Sequence, residues 1–453
     1  MSIGNNKMAV YTESSVSSKR IRNANVVSTI SSKKKTQIPR YTVTTIYLLY
    51  LGFALATARH SGASEMGTLG ELVRILTLGP AYLLALAAII TRTNLTWQII
   101  TKCKIYLVFI VFSGLSVFWV VYPSKVLLHN AHDIGYFMVG IVLLIMLKER
   151  GSKFLFKHLA IASLAFIAVS IFVSIAMPSI GTFRLTRWQG VAGNPNTLGM
   201  FCVVCVWSLL MLYNLHTRFF AKLMCLFFLV VPFLALKGGK EVTSITSLLM
   251  SLLLCLTIPF FVTLSKGNSN ARLIKFIFAF FLIIIGITSL VAFLPEVFNV
   301  DYILAKLGRD RTMTGRTRVW DMGWEIFNMK PWFGWGFDAL LSVMHTLRFD
   351  ISQFHNGYLD LAVRGGIIGF TILMLMIFVT YRGILKIIRQ DSVFGWGLAA
   401  FATALLLHNM AEASIMRPTH LYWFTFVLVY LISCNYKWLF PRENKGMSNG
   451  AFR

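Results

Sequence analysis

Residues 309–358 of this 453-residue chain read RDRTMTGRTRVWDMGWEIFNMKPWFGWGFDALLSVMHTLRFDISQFHNGY, a polar and aromatic stretch between two apolar runs. It begins with an arginine cluster, passes through two tryptophans and a Pro-Trp-Phe-Gly-Trp-Gly turn, and finishes at His-Asn-Gly-Tyr. Thr314 is a suitable helix cap, and Pro331 marks a helix stop. We therefore predict a short helix with Arg316 in its first turn, in a segment held outside a membrane.

One face of this predicted helix has a composition suited to anion binding. Arg316, Trp320 and Trp324 are four residues apart, so the guanidinium and two indole rings would share that face. Amide groups at a helix start, with a guanidinium beside them, form an anion site that best suits phosphate. We interpret the stretch as an active site.

The composition excludes a water-soluble protein. Hydrophobic residues make up 57% of the chain, charged residues only 13%, and mean hydropathy is +0.69, whereas soluble domains average about 25% charged residues. A membrane span needs about 20 apolar residues, and about twelve runs approach or reach that length. The predicted spans are 41–57, 73–90, 105–121, 127–147, 157–177, 196–215, 219–236, 242–264, 274–294, 357–380, 393–410 and 419–436.

Because helices satisfy their own backbone groups in lipid, we predict an all-α polytopic protein of about 12 transmembrane helices. The segment 295–356 is too long for a simple connection, and we predict a large helical loop on the outer face. Residues 1–38 are polar and predict a disordered cytoplasmic tail. Residues 39–440 form the predicted transmembrane domain, and 441–453 form a second cytoplasmic tail.

Basic residues set the orientation of the chain. They recur in alternate loops, which are cytoplasmic if both termini are cytoplasmic. These residues are Arg92, Lys102, Lys104, Lys148, Arg150, Lys153, Lys157, Lys266, Arg272, Lys275, Arg382, Lys386 and Arg389. The net charge of +26 is therefore interpreted as an orientation signal and a contact with membrane lipids, and nucleic acid is not an expected partner.

A second external loop, residues 181–199, carries Arg184, Arg187 and Trp188 ahead of a Gly-Asn-Pro-Asn turn. Asn-Pro initiates turns and Asn196 or Thr197 can cap the next helix, which accounts for the asparagines but not for the arginines. We expect Arg187 to bind a ligand, with Arg184 the weaker candidate.

Other polar groups have two interpretations each. The outer end of the fourth predicted span carries His129, His132 and Asp133. We favour a water-exposed position at the edge of the membrane for these residues over a position lining the site. The Lys-Gly-Gly-Lys-Glu sequence at 237–241 is favoured as a plain outer turn over the wall of an anionic pocket, and it lacks phosphate-loop spacing. Cys202 and Cys205, inside an apolar run, are interpreted as small hydrophobic residues.

The remaining chemistry rests on arginines, a histidine and aromatic rings. No Asp-x-Asp occurs and the acidic residues do not cluster, so we expect no metal and no cofactor. Fixed guanidinium groups can stabilise a departing diphosphate without a metal, and aromatic faces suit sugars. The set would serve glycan transfer from a lipid diphosphate, with His355 contributing about 10²–10⁴-fold as a base. Alternatively, His355 caps the next span.

Four motifs in this order resemble the bacterial O-antigen ligase and polymerase superfamily, which includes exopolysaccharide polymerases. They are Gly193-Asn-Pro-Asn-x-Leu-Gly199, Gly315-Arg316…Trp320, Pro331-x-x-Gly334-x-Gly336-Phe-Asp338 and His355-Asn356-Gly-Tyr358-Leu, and the resemblance covers roughly residues 100–430. It implies a GT-C-like, metal-independent inverting glycosyltransferase of the bacterial inner membrane. Its donor would be an undecaprenyl-diphosphate-linked glycan, and its active site would face the periplasm.

The resemblance also implies roles for individual residues. Arg187 and Arg316 would hold the diphosphate, and His355 would activate the acceptor. Further substrate-binding candidates are Arg184, Arg311, Arg318, Trp188, Trp320 and Asn356, and any of the three arginines among them could replace a chosen one.

Polymerase and ligase remain open alternatives, and the long basic tail favours exopolysaccharide machinery. The acceptor would be the growing glycan or lipid A core, and a flippase and a chain-length regulator are candidate partners. A lipid-linked oligosaccharide flippase is the alternative from another class, which predicts internal repeats and charges at mid-membrane.

Overall fold

In a computed structural model of the protein, the structure describes residues 41–57, 67–240, 316–348, 353–417 and 420–441. The chain is mostly helical, as predicted. The helices are α1 Tyr41–Thr57, α2 Gly67–Ile90, α3 Thr93–Ile100, α4 Lys104–Leu115, α5 Pro123–Arg150, α6 Ser152–Ala176, α7 Pro178–Gly181, α8 Pro195–Leu215, α9 Phe219–Phe228, α10 Val230–Gly239, α11 Arg316–Met329, α12 Leu341–Leu347, α13 Gly357–Ile388, α14 Ser392–His408, α15 Leu421–Cys434 and α16 Tyr436–Leu439. Within these ranges the strands are a short antiparallel hairpin, β1 Thr182–Phe183 and β2 Arg187–Trp188.

Five helices in the described ranges are long and apolar enough to cross a membrane, which makes the chain an integral membrane protein. They are α5, α6, α8, the consecutive pair α9–α10, and α13. A sixth is possible if Leu78–Ile90 and Thr93–Ile100, bent by 106°, form one broken span. Three shorter apolar helices, Lys104–Phe118, α14 and α15, coincide with predicted spans.

The count of twelve spans and the GT-C-like architecture remain predictions. The predicted spans 242–264 and 274–294 lie outside the described residues, as do 295–315 of the predicted outer loop. The predicted tail 1–38 and all but the first residue of the tail 441–453 also lie outside them. The predicted domain limits therefore stay predictions.

Long-range hydrogen bonds gather one set of loops at one end of the helices. The amide of Val121 donates to Ser342 Oγ at 2.8 Å, and the amide of Phe337 donates to Ser116 Oγ at 3.2 Å. The amide of Gly357 donates to the carbonyl of Asn409 at 2.7 Å. We call this the Arg316 end.

The opposite end collects basic residues, and we call it the Lys148 end. Arg92 forms an ion pair with Glu149, and Lys148 Nζ donates to the carbonyl of Leu439 at 3.0 Å. Nearby, the side-chain amide of Asn435 lies 3.6 Å from the sulfur of Cys103. The described basic loops thus lie away from the Arg316 end, which is the separation that the predicted alternation requires.

The polar trio near the start of α5 is buried, so the predicted hydrated edge is wrong. His129 Nδ1 lies 2.9 Å from the carbonyl of Phe337, and His132 Nδ1 lies 3.1 Å from the hydroxyl of Tyr82. Asp133 Oδ1 accepts from Trp423 Nε1 at 2.9 Å. Burial in low dielectric requires such partners, and here they tie α5 to its neighbours. Cys202 and Cys205 are buried free thiols in α8, as expected of small apolar residues.

Candidate active site

The predicted helix near Arg316 is present as α11 and packs against the start of α13. Its apolar side contributes to one buried cluster, made of Ile326, Trp335, Leu340, Val343, Phe354, Leu359 and Val363. Two indole N–H groups form hydrogen bonds within and beside this cluster. Trp320 Nε1 donates to the carbonyl of Phe354, and Trp335 Nε1 donates to the carbonyl of Ile326, both at 3.0 Å. Residues 316–348 and 353–363 therefore form a packed cap at the Arg316 end.

The turn after α11 docks into a break in α13. At Gly366 the backbone of α13 leaves helical geometry, with φ 62° and ψ −163°. The amides of Ile367 and Ile368 donate to the carbonyls of Pro331 and Trp332, at 2.8 and 3.2 Å. Backbone groups freed inside a membrane helix must find such partners.

Hydrogen bonds also run in the other direction, from amides of the turn to carbonyls of α13. The carbonyls of Val363 and Arg364, which a continuous helix would bond to residues 367 and 368, accept instead from Trp335 and Gly336 at 2.9 and 2.8 Å. Gly334, Gly336 and Gly366 all have positive φ. A Cβ at Gly366 would overlap the Trp332 carbonyl. Glycines at these positions therefore permit the docking.

A buried charge network lies beside the break. Arg364 Nε donates to Asp360 Oδ2 at 2.8 Å, and its other nitrogens donate to the carbonyls of Met416 and Ile415 at 2.9 and 3.2 Å. Arg417 donates to both carboxylate oxygens of the same Asp360. Asp360 and Arg364 are almost fully buried. Two guanidinium groups on one carboxylate leave the network with a net positive charge.

Glu412 connects the two residues that the sequence placed at the centre of the site. Arg316 Nη2 donates to Glu412 Oε1 at 3.1 Å, and His355 Nδ1 lies 3.3 Å from Glu412 Oε2. Arg316 also donates to the carbonyl of Ala411. The side chain of Arg316 is 11% exposed, that of Glu412 is 5% exposed and that of His355 is 38% exposed. The cluster therefore has its imidazole at the surface and its ion pair below.

The surroundings of Glu412 keep it ionised. Burial alone would raise its pKa, but the hydrogen bond and charge of His355, followed by the charge of Arg316, lower the pKa below its ordinary value. A carboxylate that accepts hydrogen bonds from cationic or polar donors is stabilised in its charged form.

The contacts of Glu412 also favour one tautomer of His355. Gln353 Nε2 and His355 Nδ1 both lie against Oε2 of Glu412, at 3.4 and 3.3 Å. An ionised carboxylate only accepts hydrogen bonds, so this arrangement favours a hydrogen on Nδ1. Gln353 Nε2 also lies 3.2 Å from Nδ1, but it cannot donate to a nitrogen that carries a hydrogen. His355 Nε2 then keeps its lone pair.

His355 does not cap the next helix. The side chain of Asn356 is the cap, and it accepts from the amides of Tyr358 and Leu359 at 3.1 and 3.2 Å. His355 precedes this cap with a left-handed backbone, φ 51°. Such a conformation is uncommon for a non-glycine residue and turns the imidazole toward Glu412 rather than along α13.

An apolar cavity of about 300 Å³ adjoins the cluster. It is lined by Trp320, Trp324, Phe327, Asn356, Tyr358, Leu359, Ala362, Gly366, Ile367 and Phe370. From Asn356 to Phe370 the wall follows α13 for about 20 Å. The cavity therefore leads from the mouth of the site past the helix break toward the membrane interior.

The other predicted site residues lie as follows. Arg187 Nε donates to the carbonyl of Gly239 at 2.9 Å, which joins the hairpin to the end of α10, and Trp188 packs against Gly238. The guanidinium of Arg184 lies over the ring of Phe183. Arg318 is exposed on α11, and Arg311 lies outside the described residues. Arg187 thus contacts α10, and Arg184 contacts its own hairpin.

Sequence reasoning gave no role to Asp360, Arg417, Gln353 or Glu412. The sequence does carry a signal for Asp360. Asp360 and Arg364 are four residues apart at the start of an apolar run, where opposite charges at that spacing pair on a helix. No comparable signal exists for Glu412 and Arg316, which are far apart in sequence.

Comparison with known proteins shows a similarity to one family. The family described as O-antigen ligase matches residues 203–374, which include α11, the docking turn, His355 and the break in α13. Over this region, about two fifths of its length, the chain is similar to the O-antigen ligase family. In the described ranges no group of three His, Cys, Asp or Glu side chains is arranged to hold a metal ion.

One curated protein is similar to the chain over a limited region. It is the exopolysaccharide production protein ExoQ of Rhizobium meliloti (strain 1021), which is 30% identical over 135 residues. The alignment covers 27% of this chain and 31% of ExoQ. The chain thus matches about a third of the length of this curated relative.

Proposed function

We propose that this protein is a glycosyltransferase that moves a glycan from an undecaprenyl diphosphate carrier to a sugar hydroxyl. The observation that supports this most is Glu412, whose two carboxylate oxygens contact Arg316 and His355. A group suited to diphosphate and a group suited to proton transfer are thereby held on one carboxylate. Transfer from a lipid diphosphate needs both.

In the proposed reaction the acceptor oxygen attacks the anomeric carbon of the donor sugar from the face opposite the diphosphate. The bond from that carbon to the phosphate oxygen breaks, and the electron pair leaves with undecaprenyl diphosphate. His355 Nε2 takes the proton of the acceptor hydroxyl. The configuration at the anomeric carbon inverts.

Glu412 acts through the two residues it contacts. It accepts the Nδ1 hydrogen of His355, which orients the ring and stabilises the imidazolium formed when Nε2 takes a proton. It also fixes Arg316, so the guanidinium is positioned before the diphosphate charge grows. Preorganised charge of this kind is the largest contribution to many enzymatic rate enhancements.

Arg316 has a second advantage because it begins α11. The start of a helix carries the positive end of its dipole, equivalent to roughly half an elementary charge. Together with the net positive network of Arg364, Arg417 and Asp360, this makes the Arg316 end attractive to a dianion. Arg187 is proposed as the second arginine on the diphosphate, with Arg184, Arg311 and Arg318 as alternatives. Trp188 and Asn356 are proposed to contact the glycan.

The apolar cavity beside the cluster is proposed to hold the first isoprene units of the carrier. Its walls include Trp320 and Trp324, and it follows α13 toward the membrane interior. A lipid diphosphate needs a polar site for its head beside an apolar path for its chain, and these two features adjoin here. Pockets of about 300 Å³ lie at the lower end of the range for small ligands, which fits part of a chain.

We place the reaction on the periplasmic face of the bacterial inner membrane, with both termini cytoplasmic. This orientation is supported by the separation of the Arg316 end from Arg92, Lys148 and the other basic residues of the Lys148 end.

We propose polymerisation of exopolysaccharide repeat units in preference to ligation to lipid A core. The similarity to a protein named for exopolysaccharide production supports the first, and the family's description as O-antigen ligase supports the second. The acceptor is therefore a growing glycan in the preferred proposal. A flippase and a chain-length regulator of the same pathway are the proposed protein partners.

The test uses purified full-length protein in proteoliposomes with an undecaprenyl-diphosphate-linked oligosaccharide. Release of undecaprenyl diphosphate together with a new glycosidic bond is the expected result. Products that lengthen on the carrier identify a polymerase, and transfer only to lipid A core identifies a ligase. Movement of intact donor across the bilayer without bond cleavage would identify a flippase and refute the proposal.

A further inference from the structure

A second cavity, of about 940 Å³, opens at the Lys148 end between α6, α8, α9 and α10. Its rim carries Arg150, the last residue of α5, with Lys153 and Lys157 from the first part of α6. The site described above lies at the opposite end of the helices, so this groove is a separate feature.

The rim has a positive charge that the described residues do not neutralise. No carboxylate in the described ranges forms an ion pair with Arg150, Lys153 or Lys157, and the nearby Glu149 is paired with Arg92. His216 also lines the rim. Burial lowers the pKa of His216, and the positive charge of Lys153 lowers it further. The rim therefore has a local positive potential.

The walls below the rim are apolar. On α6 they include Ile161, Ala165 and Ala168, and on the facing helices they include Phe228 and Val231. Lys157 and Ala168 are eleven residues apart, about 16 Å along a helix. The hydrocarbon core of a bilayer is about 30 Å thick. If the basic rim lies at headgroup depth, the walls reach about the middle of the membrane.

We propose that this groove binds an anionic phospholipid from the leaflet at the Lys148 end. The phosphate lies against Lys153, Lys157 and Arg150, and an acyl chain follows the apolar wall of α6. Basic pockets between membrane helices on the cytoplasmic side are suited to anionic headgroups. The cavity is near the upper limit of about 1,000 Å³ for small-ligand pockets, which leaves room for a lipid chain.

A second copy of the chain is a poorer occupant. In a two-fold interface the same patch meets itself, so the lysines of one copy would approach those of the other. Like charges at close approach oppose association. An anionic lipid neutralises the same rim.

The test is lipid binding by purified full-length protein, measured by native mass spectrometry from mixed micelles with phosphatidylglycerol or phosphatidylethanolamine. We expect phosphatidylglycerol to be preferred. The double variant Lys153→Gln/Lys157→Gln is expected to bind it about thirty-fold more weakly, because each surface cation contributes about fivefold. The matched control, Arg382→Gln/Arg389→Gln, removes two exposed cations elsewhere at the same end and should bind like the unmodified protein.

A third variant separates the groove from general surface charge. Ala165→Trp keeps every cation but fills the apolar wall, and it is also expected to weaken phosphatidylglycerol binding. Equal binding of both lipids, equal loss in the control, or full binding by Ala165→Trp would each overturn the proposal. A lipid-independent dimer lost in Ala165→Trp would assign the groove to a second copy and overturn it as well. Unchanged melting temperatures in lipid-free micelles verify that each variant is folded.

Discussion

The substitution Gly366→Ala tests how the site is assembled, because Gly366 forms the break in α13 that receives the turn after α11. Its φ of 62° and ψ of −163° fall in a region that is essentially restricted to glycine, and a side chain there costs about 1–3 kcal/mol. A methyl group would also meet the Trp332 carbonyl. The substitution therefore favours a straight helix.

The free-energy difference between the docked and undocked turn can be worked from the backbone hydrogen bonds across the break. Docking of the turn is held by four backbone bonds between residues 331–336 and α13. A straight helix would regain two of them internally, so undocking loses about two bonds at about 1 kcal/mol each. The strain of about 1–3 kcal/mol that Gly366→Ala adds to the docked state is of the same size as this loss, so the docked and undocked states become similar in free energy. A strain of this size is enough to populate the undocked state.

Limited proteolysis and tryptophan fluorescence report the outcome. Residues 331–336 should become protease-sensitive, and the emission of Trp335, which is 4% exposed, should move to longer wavelength as it meets water. Glycan transfer should fall in parallel. The control Gly369→Ala adds a methyl group that makes ordinary contacts on the same helix, and it should behave like the unmodified protein. Wild-type protease resistance and turnover in Gly366→Ala would refute the reasoning.

Three further predictions concern the site itself. Arg316→Lys keeps the charge but loses the forked guanidinium that contacts Glu412, so kcat/KM for the donor should fall about 10²-fold. The control Arg348→Lys, at an exposed position that caps the end of α12, should leave kcat/KM unchanged, and equal effects of the two substitutions would remove Arg316 from the site. The pKa of Glu412 is lowered in the folded state, so its contribution to stability is complete above about pH 4.5 and is lost as the pH falls through the lower folded-state value. Glu412→Gln should therefore make the melting temperature depend less on pH between about pH 6 and 3. An unchanged dependence would contradict the His355 and Arg316 contacts. Trp324→Ala should raise KM for the polyprenyl donor about tenfold at unchanged kcat, and an unaltered KM would separate the apolar cavity from the donor.

Local pattern was sufficient to predict α11. The four-residue spacing of Arg316, Trp320 and Trp324 and the stop signal at Pro331 act within a few residues, and the helix ends at Met329. The apolar helices follow from composition for the same reason, since a run of apolar residues carries the signal for a membrane helix within itself.

The break in α13 could not be predicted in this way. Its sequence reads as one long apolar run, and a Gly-Gly pair at 365–366 is compatible with a continuous membrane helix. The break becomes favourable only because the turn at 331–336 supplies partners for the freed backbone groups. Such a long-range exchange leaves no periodic trace in the sequence.

The sequence singled out Arg316 and His355 as candidate site residues, and that role stays a prediction, but it did not indicate that both contact Glu412. Arg316 and His355 stood out because charged residues make up only 13% of the chain and histidines number nine. Glu412, which joins them, follows α14 and is distant from both in sequence. The buried partners of His129, His132 and Asp133 were missed for the same reason, because burial at a span's end depends on which loop covers it.

The most direct test of the proposed chemistry is the single-turnover rate of glycan transfer with donor and acceptor saturating, compared between wild-type protein and His355→Ala. Loss of the base predicts a rate about 10²–10⁴-fold lower with donor affinity nearly unchanged. Gln353→Ala, which removes a neighbouring contact of Glu412 and keeps the imidazole, should retain most of the rate. A His355→Ala protein that forms glycosidic bonds at the wild-type rate would contradict the account.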